Sequence, residues 1–188
     1  RAALGLSPAA LASALGRQVR KGRLLVPKHG FYLILRPEDR AFGAPDPARW
    51  IDPLMRHLRC DYRVALLRAA AFHGSSHQAA MVFQVIVPRQ LRALELGRQR
   101  SHFIYQAPAS FRRVNAQPWL AQIKTDAGFA KVSGVELTLL DCARYFHKVG
   151  GINALAQVAK DLGGKADPSV LGEIAGHYEN SGVRRLGY

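Results

Sequence analysis

Between Pro8 and Lys21, Ala10, Ser13, Arg17 and Arg20 recur at spacings of three, four and three, which on a helix sets them along one face. The chemistry such a face can do is polyanion recognition. Small side chains let the N-terminal half of a helix approach base edges, and arginine's planar fork pairs with guanine O6 and N7 or grips phosphate. Lys21 continues the cationic run. Lys28 and His29 follow at the tip of an expected hairpin, where they would meet phosphate from a second side. The plainer alternative is a solvated amphipathic helix beside an ordinary hairpin.

Two other sets resemble parts of an enzyme. His73 and His77 lie four residues apart, a spacing that suits a metal on one helix. Gly74-Ser75-Ser76 between them ends the helix, however, and there is no glutamate for an HExxH site. Both histidines are read as satisfying hydrogen bonds at a helix end. Asp126, Lys131 and Glu136 imitate the paired carboxylates and lysine of a magnesium-dependent nuclease. Glu136 is better explained as a helix cap and Asp126 by a turn before Gly128, while Asp141 reads as a buried or semi-buried hydrogen-bonding group. The chain has no phosphate loop, no G-x-S-x-G and no cysteine in a nucleophilic setting. No catalytic residue, metal or cofactor is therefore expected.

The elements that must position these residues are written in local signals. Ser7 as N-cap and Pro8 at the first helical position start a helix that runs to about Lys21 and stops at Gly22, with Leu11, Leu15 and Val19 as its buried stripe. Leu24 to Val26 and Phe31 to Leu35 then read as a hairpin, giving the winged-helix order. A helix-turn-helix needs a preceding helix and only Arg1 to Gly5 stand before Ser7, so further N-terminal residues are expected. Arg36 to Pro47 is the linker candidate, with a boundary near residue 45 separating residues 1–45 from 46–188.

In the second part, Asp52-Pro53 is the expected helix start in preference to Asp46-Pro47, because the earlier start would carry Pro53 inside the helix. A helix from Tyr62 should present Tyr62, Ala65, Leu66, Ala69 and His73, leave Arg63 and Arg68 off that face, and end at Gly74. Strands are expected at Met81 to Pro88, Leu94 to Leu96, Ser101 to Gln106 and Phe129 to Val132. Ser133 and Glu136 match a capping box before a helix with Leu139, Leu140, Ala143 and Phe146 in the core. Ile152, Leu155, Val158 and Leu162 mark another helix. A last one starts at Asp167-Pro168, with Leu171, Ile174, Ala175 and Tyr178 on one face. The fold class is α+β: an N-terminal winged helix-turn-helix, then an α/β domain with a small mixed sheet flanked by helices.

Charge sharpens the functional reading. The net charge of the 188 residues is +14, a surplus that points to a polyanionic partner. Residues 1–40 carry eight basic and two acidic side chains, and residues 79–124 seven and one. The second block holds Arg89, Arg92, Arg98, Arg100, Arg112, Arg113 and Lys124 and implies a second basic surface. Cys60 and Cys142, expected in helical segments with no CxxC partner, suit a reducing cytoplasm, and no apolar run approaches a membrane span.

Taken together, KGRLLVPKHGFY (Lys21 to Tyr32), DYRVALLRAAAFHGSSHQ (Asp61 to Gln78), VFQVIVPRQLR (Val82 to Arg92), VSGVELTLLDCARY (Val132 to Tyr145), GGIN (Gly150 to Asn153) and RRLGY (Arg184 to Tyr188) resemble the AbiEi family of type IV toxin-antitoxin systems in order and spacing. That resemblance implies a winged-helix repressor of its own operon that binds inverted repeats, a monomer in solution with two copies on DNA, cytoplasmic and nucleoid-associated. It also implies a C-terminal domain that counters an AbiEii-like nucleotidyltransferase toxin, with or without direct contact. The last family helix is expected to run past Tyr188. The DNA-contacting candidates it selects are Ser13, Arg17, Arg20, Lys21, Lys28 and His29. Two alternatives are a stand-alone transcription factor with a ligand-sensing domain and a metal-dependent nuclease.

Overall fold

The structure is a computed structural model and describes residues 5, 7–75, 82–178 and 180–187. Arg1, Ser76, His77, Met81 and Tyr188, on which readings above rest in part, lie outside the described residues. The chain opens with α1 (Pro8–Arg20), which Ser7 caps by accepting a hydrogen bond from the Ala10 amide at 3.2 Å. Gly22, at φ +63°, turns the chain into the hairpin β1 (Leu24–Lys28) and β2 (Phe31–Ile34). Leu11, Leu15 and Val19 are half-buried on α1, which has no fully buried residue.

A short 3-10 turn (Pro37–Asp39) leads to α2 (Pro47–His57), and here the expected start is corrected. The helix begins at Pro47, with the Ala48 amide donating to Asp46 Oδ1 at 2.8 Å, and it carries Pro53 in its interior. The lost backbone bond is outweighed by burial: Trp50, Ile51, Leu54 and Met55 lie on both sides of Pro53 along one covered face, and a start at residue 53 would abandon the first two.

A second correction follows. Residues 63–64 do not open a helix but form the two-residue strand β3 (Arg63–Val64), and α3 (Leu66–Phe72) begins only after a sharp turn that holds Leu66 at φ +56°. Arg63, expected off the buried face, is fully buried. Cys60 lies between α2 and β3, outside any helix, and both cysteines are free and buried.

The rest of the sheet is β4 (Val82–Val87), β5 (Leu94–Leu96), β6 (Gln99–Tyr105), β7 (Leu120–Thr125) and β8 (Gly128–Ser133). The order is β5-β6-β4-β3-β8-β7, with β4 parallel to β6 and β3 parallel to β8, and the other neighbours antiparallel. Helix α4 (Pro108–Val114) follows β6; α5 (Val135–Arg144), α6 (Ile152–Gly163), α7 (Pro168–His177) and α8 (Asn180–Leu186) close the chain. The mixed sheet flanked by helices is thus present as expected. Strand β7 and helix α4 are additions to it.

Alternation along β4 shows how the layers form. Phe83, Val85 and Val87 pack with Ile51 and Met55 of α2, whereas Ile86 packs with Leu66 and Leu67 of α3, Ala143 of α5 and Val158 of α6. A strand covered on both faces reads as a continuous apolar run, which is why VFQVIV is legible. Ile152 is the exception among the apolar positions expected on α6, at 57% exposed. Among the described residues no helix is long and apolar enough to cross a membrane.

The capping box ahead of α5 is also corrected. Gly134 is the N-cap; Ser133 Oγ donates to Asp141 Oδ2 at 2.8 Å, and Glu136 Oε1 accepts from the Asp167 amide at 2.9 Å. Both side chains serve tertiary contacts in place of the local cap.

Candidate nucleic-acid interface

Ser13, Arg17, Arg20 and Lys21 are all exposed along α1 and its C-cap. Arg17 and Arg20 stand in the last turn, where cations also complement the helix dipole. Across the hairpin Lys28 pairs with Phe31, so His29 and Gly30 form a two-residue tip, with Gly30 at φ +74°. Lys28 is half-buried and His29 exposed. The pairing slips between Leu25 and Lys28, where Pro27 is accommodated. Among the described residues no acidic side chain pairs with Arg17, Arg20, Lys21 or Lys28.

The inner face of the hairpin is seated on the rest of the chain. Leu33 packs with Trp50 and Leu54 of α2 and Leu94 of β5, joined by the half-buried Leu25 and Phe31. Trp50 Nε1 donates to the Pro45 carbonyl at 3.1 Å. At the base of the hairpin, Asp126 in the β7–β8 turn meets Arg36 at 3.2 Å and Arg49 at 2.9 Å, and Arg49 also meets Asp39 at 3.0 Å.

The second basic group is spread along the sheet. Arg98 and Arg100 lie where β6 begins, Arg100 loosely paired with Glu95 at 3.8 Å. Arg89 follows the end of β4, and Arg112 and Arg113 stand on α4, beyond the end of the parallel strand β6. The length of β6 therefore separates the two subsets. Arg92 is exposed between β4 and β5, and Arg89 donates to the Leu58 carbonyl at 2.7 Å.

The carboxylate and lysine set does not assemble, and of the histidine pair only His73 is among the described residues. His73 Nε2 donates to the Ser133 carbonyl at 2.7 Å, the hydrogen-bonding role expected of it. Asp126 is held by the two arginines, Lys131 by Asp61, and Glu136 by the Asp167 amide. Among the described residues no three metal-ligating side chains come together.

What sequence reasoning missed is a buried ionic centre. Arg63 bonds Asp141 through Nε at 3.0 Å and Nη2 at 2.7 Å, and Nη2 also reaches Gln106 Oε1 at 2.8 Å. Asp141 accepts further bonds from Ser133 Oγ and, at 2.5 Å, from the Tyr178 hydroxyl. The Phe111 ring lies 5.4 Å from the guanidinium carbon, and Arg63 Nη1 has no hydrogen-bond partner among the described residues. Burial works against the charge on Arg63, but Asp141 outweighs it and holds the guanidinium pKa above its ordinary value. With Arg63 and Asp141 both 0% exposed, this centre has no access for a substrate; it ties β3 to α5 and α7.

Burial first, then the Asp141 charge, pushes the Tyr178 hydroxyl well above the usual tyrosine range, and burial does the same to Tyr62. A folded-state pKa above the unfolded value favours the neutral form, so the stability is intact below pH 10 and is lost as pH rises beyond it. Each group is expected to remove about 1.4 kcal/mol per pH unit above pH ~10. Urea unfolding at pH 9, 10 and 11 reads this slope; equal stability at all three would mean both hydroxyls titrate as in the unfolded chain.

The fold has a solved counterpart. The RV2827C protein from Mycobacterium tuberculosis aligns over 98% of this chain with a TM-score of 0.64 at 21% identity, so the fold is shared, and the chain spans 64% of that protein's length. No curated protein matches the sequence. The sequence model of the AbiEi antitoxin C-terminal domain matches residues 63–188, from Arg63 through Asp141 and Tyr178 to the last helix. That stretch is two thirds of the chain and contains the whole buried ionic centre: this protein belongs to the AbiEi antitoxin family.

Proposed function

We propose that this chain is the antitoxin and autorepressor of a type IV toxin-antitoxin operon. The observation that carries the reading is a cationic helix and hairpin tip, free of acidic partners among the described residues, joined to an AbiEi antitoxin body. Two copies occupy inverted half-sites in the operon's own promoter and block transcription sterically. Helix α1 enters the groove as the reading helix of a winged-helix unit, Arg17 and Arg20 pair with base edges or phosphate, and Lys28 and His29 meet the backbone from the wing. The body formed by residues 63–188 counters a nucleotidyltransferase toxin.

The first test titrates the protein by fluorescence anisotropy against its upstream promoter and a scrambled duplex. Tighter binding to the promoter at near-physiological salt supports repression; equal binding to both removes it. Within that assay Arg17→Ala is expected to cost about 1–3 kcal/mol and to relax sequence preference, while Lys28→Ala weakens binding to both duplexes alike. Unchanged preference after Arg17→Ala would mean that another face of α1 reads the bases.

A further inference from the structure

The cationic tip of the hairpin does not hang free. His57, the last residue of α2, lies against it in three ways. Its Nε2 is 3.0 Å from the His29 carbonyl oxygen, and because a carbonyl only accepts, Nε2 must carry the proton and donate it. Its ring is tilted against Phe31 with centroids 5.6 Å apart. A Cβ on Gly30 would stand 3.5 Å from its Cε1, so the imidazole occupies the space beside the tip glycine. One exposed side chain thus touches His29, Gly30 and Phe31, the residues that complete the two-residue turn after Lys28.

We propose that His57 is a positioning residue for DNA binding: by donating to the His29 carbonyl and packing on Phe31 it fixes the direction in which Lys28 and His29 leave the hairpin. The inference rests on the DNA-binding reading above and adds a residue to it that carries no DNA contact of its own. The physical reason is the geometry of the tip. A two-residue turn with Gly30 at φ +74° and a slip in pairing just before Lys28 is weakly held by its own backbone. The α2 terminus supplies a fixed donor outside the hairpin. Helix α2 is itself anchored by the fully buried Ile51, Leu54 and Met55, so the tip inherits the rigidity of the core.

The test uses the full chain with His57→Ala and His57→Gln, since the glutamine amide can donate from nearly the same place. His57→Ala is expected to lower promoter affinity about 3- to 10-fold, the range of one hydrogen bond, and His57→Gln to stay within about twofold of the unaltered protein. In a Lys28→Ala background His57→Ala should add little, because both act through the same contact. Hydrogen exchange of the Phe31 amide, across the turn from Lys28, should quicken in His57→Ala and recover in His57→Gln. Glutamine as weak as alanine, full additivity with Lys28→Ala, or an unchanged Phe31 amide overturns the proposal. Should the unaltered protein show no promoter preference, the DNA-binding reading fails by itself, and the exchange data still decide whether His57 holds the tip.

Discussion

Arg63→Met is expected to lower the unfolding free energy by about 3–5 kcal/mol, the cost of leaving a buried charge without its partner. The Asp141 carboxylate is 0% exposed and, among the described residues, would retain Ser133 and Tyr178 as donors after losing two bonds from the guanidinium. Gln106 Oε1 would lose its donor as well. The comparison that isolates the ionic term is Arg63→Met with Asp141→Leu. Removing both charges is expected to restore much of the loss, because the fully buried site beside the Phe111 ring can receive apolar side chains while the lone carboxylate cannot be hydrated there. Urea midpoints with an unchanged m-value read both effects. A single-variant loss below about 1 kcal/mol would mean that Asp141 is not held mainly by Arg63.

Promoter affinity is expected to fall about ten-thousand-fold between 50 and 200 mM salt. On the proposed reading, if Arg17, Arg20, Lys21 and Lys28 on each of two copies all neutralise phosphate they supply about eight contacts, and each displaced counterion contributes about 0.9 to the slope of log affinity against log salt, giving a slope near −7. The measurement is an anisotropy titration series at four salt concentrations. A slope shallower than about −3 would mean that fewer than half of these side chains reach phosphate, and that the exposed face of α1 is not docked lengthwise in the groove.

The parts of the fold that were legible in the sequence are those specified locally. Ser7-Pro8 and Gly22 bracket α1, and the run Pro27 to Gly30 marks the hairpin, though strand β1 extends through Pro27 and Lys28 and leaves only His29 and Gly30 in the turn, because caps and turns need particular residues within a few positions. Strand β5 and the apolar run of β4 were legible for the same reason. The misreadings share the opposite cause. Pro53 argued against the start of α2 at Pro47, yet tertiary burial of Trp50 and Ile51 overrode it. Strand β3 is two residues long and exists only through β4 and β8, so its helical periodicity misled. Glu136 was spent on the Asp167 amide, and α4 starts at Pro108 without a side-chain cap.

The buried ionic centre was illegible as a unit. A charged residue between apolar neighbours reads as solvated, and nothing near Arg63 announces Asp141, although Asp141 itself was read as a buried or semi-buried hydrogen-bonding group. Of the candidate DNA face, residue types and spacing were visible beforehand. The seat of the hairpin on Trp50 and Leu54, and the hold of His57 on its tip, required the third dimension.

That long-range pairing also sets a clock. Arg63 and Asp141 are 78 residues apart, so at about 5–20 residues per second a ribosome makes the arginine roughly 4–16 s before its partner. Until then β3 cannot take its central place with a buried guanidinium, and the sheet cannot close around it. The body around this pair therefore forms later in synthesis than α1 and the hairpin, whose residues precede both Arg63 and Asp141 in the chain.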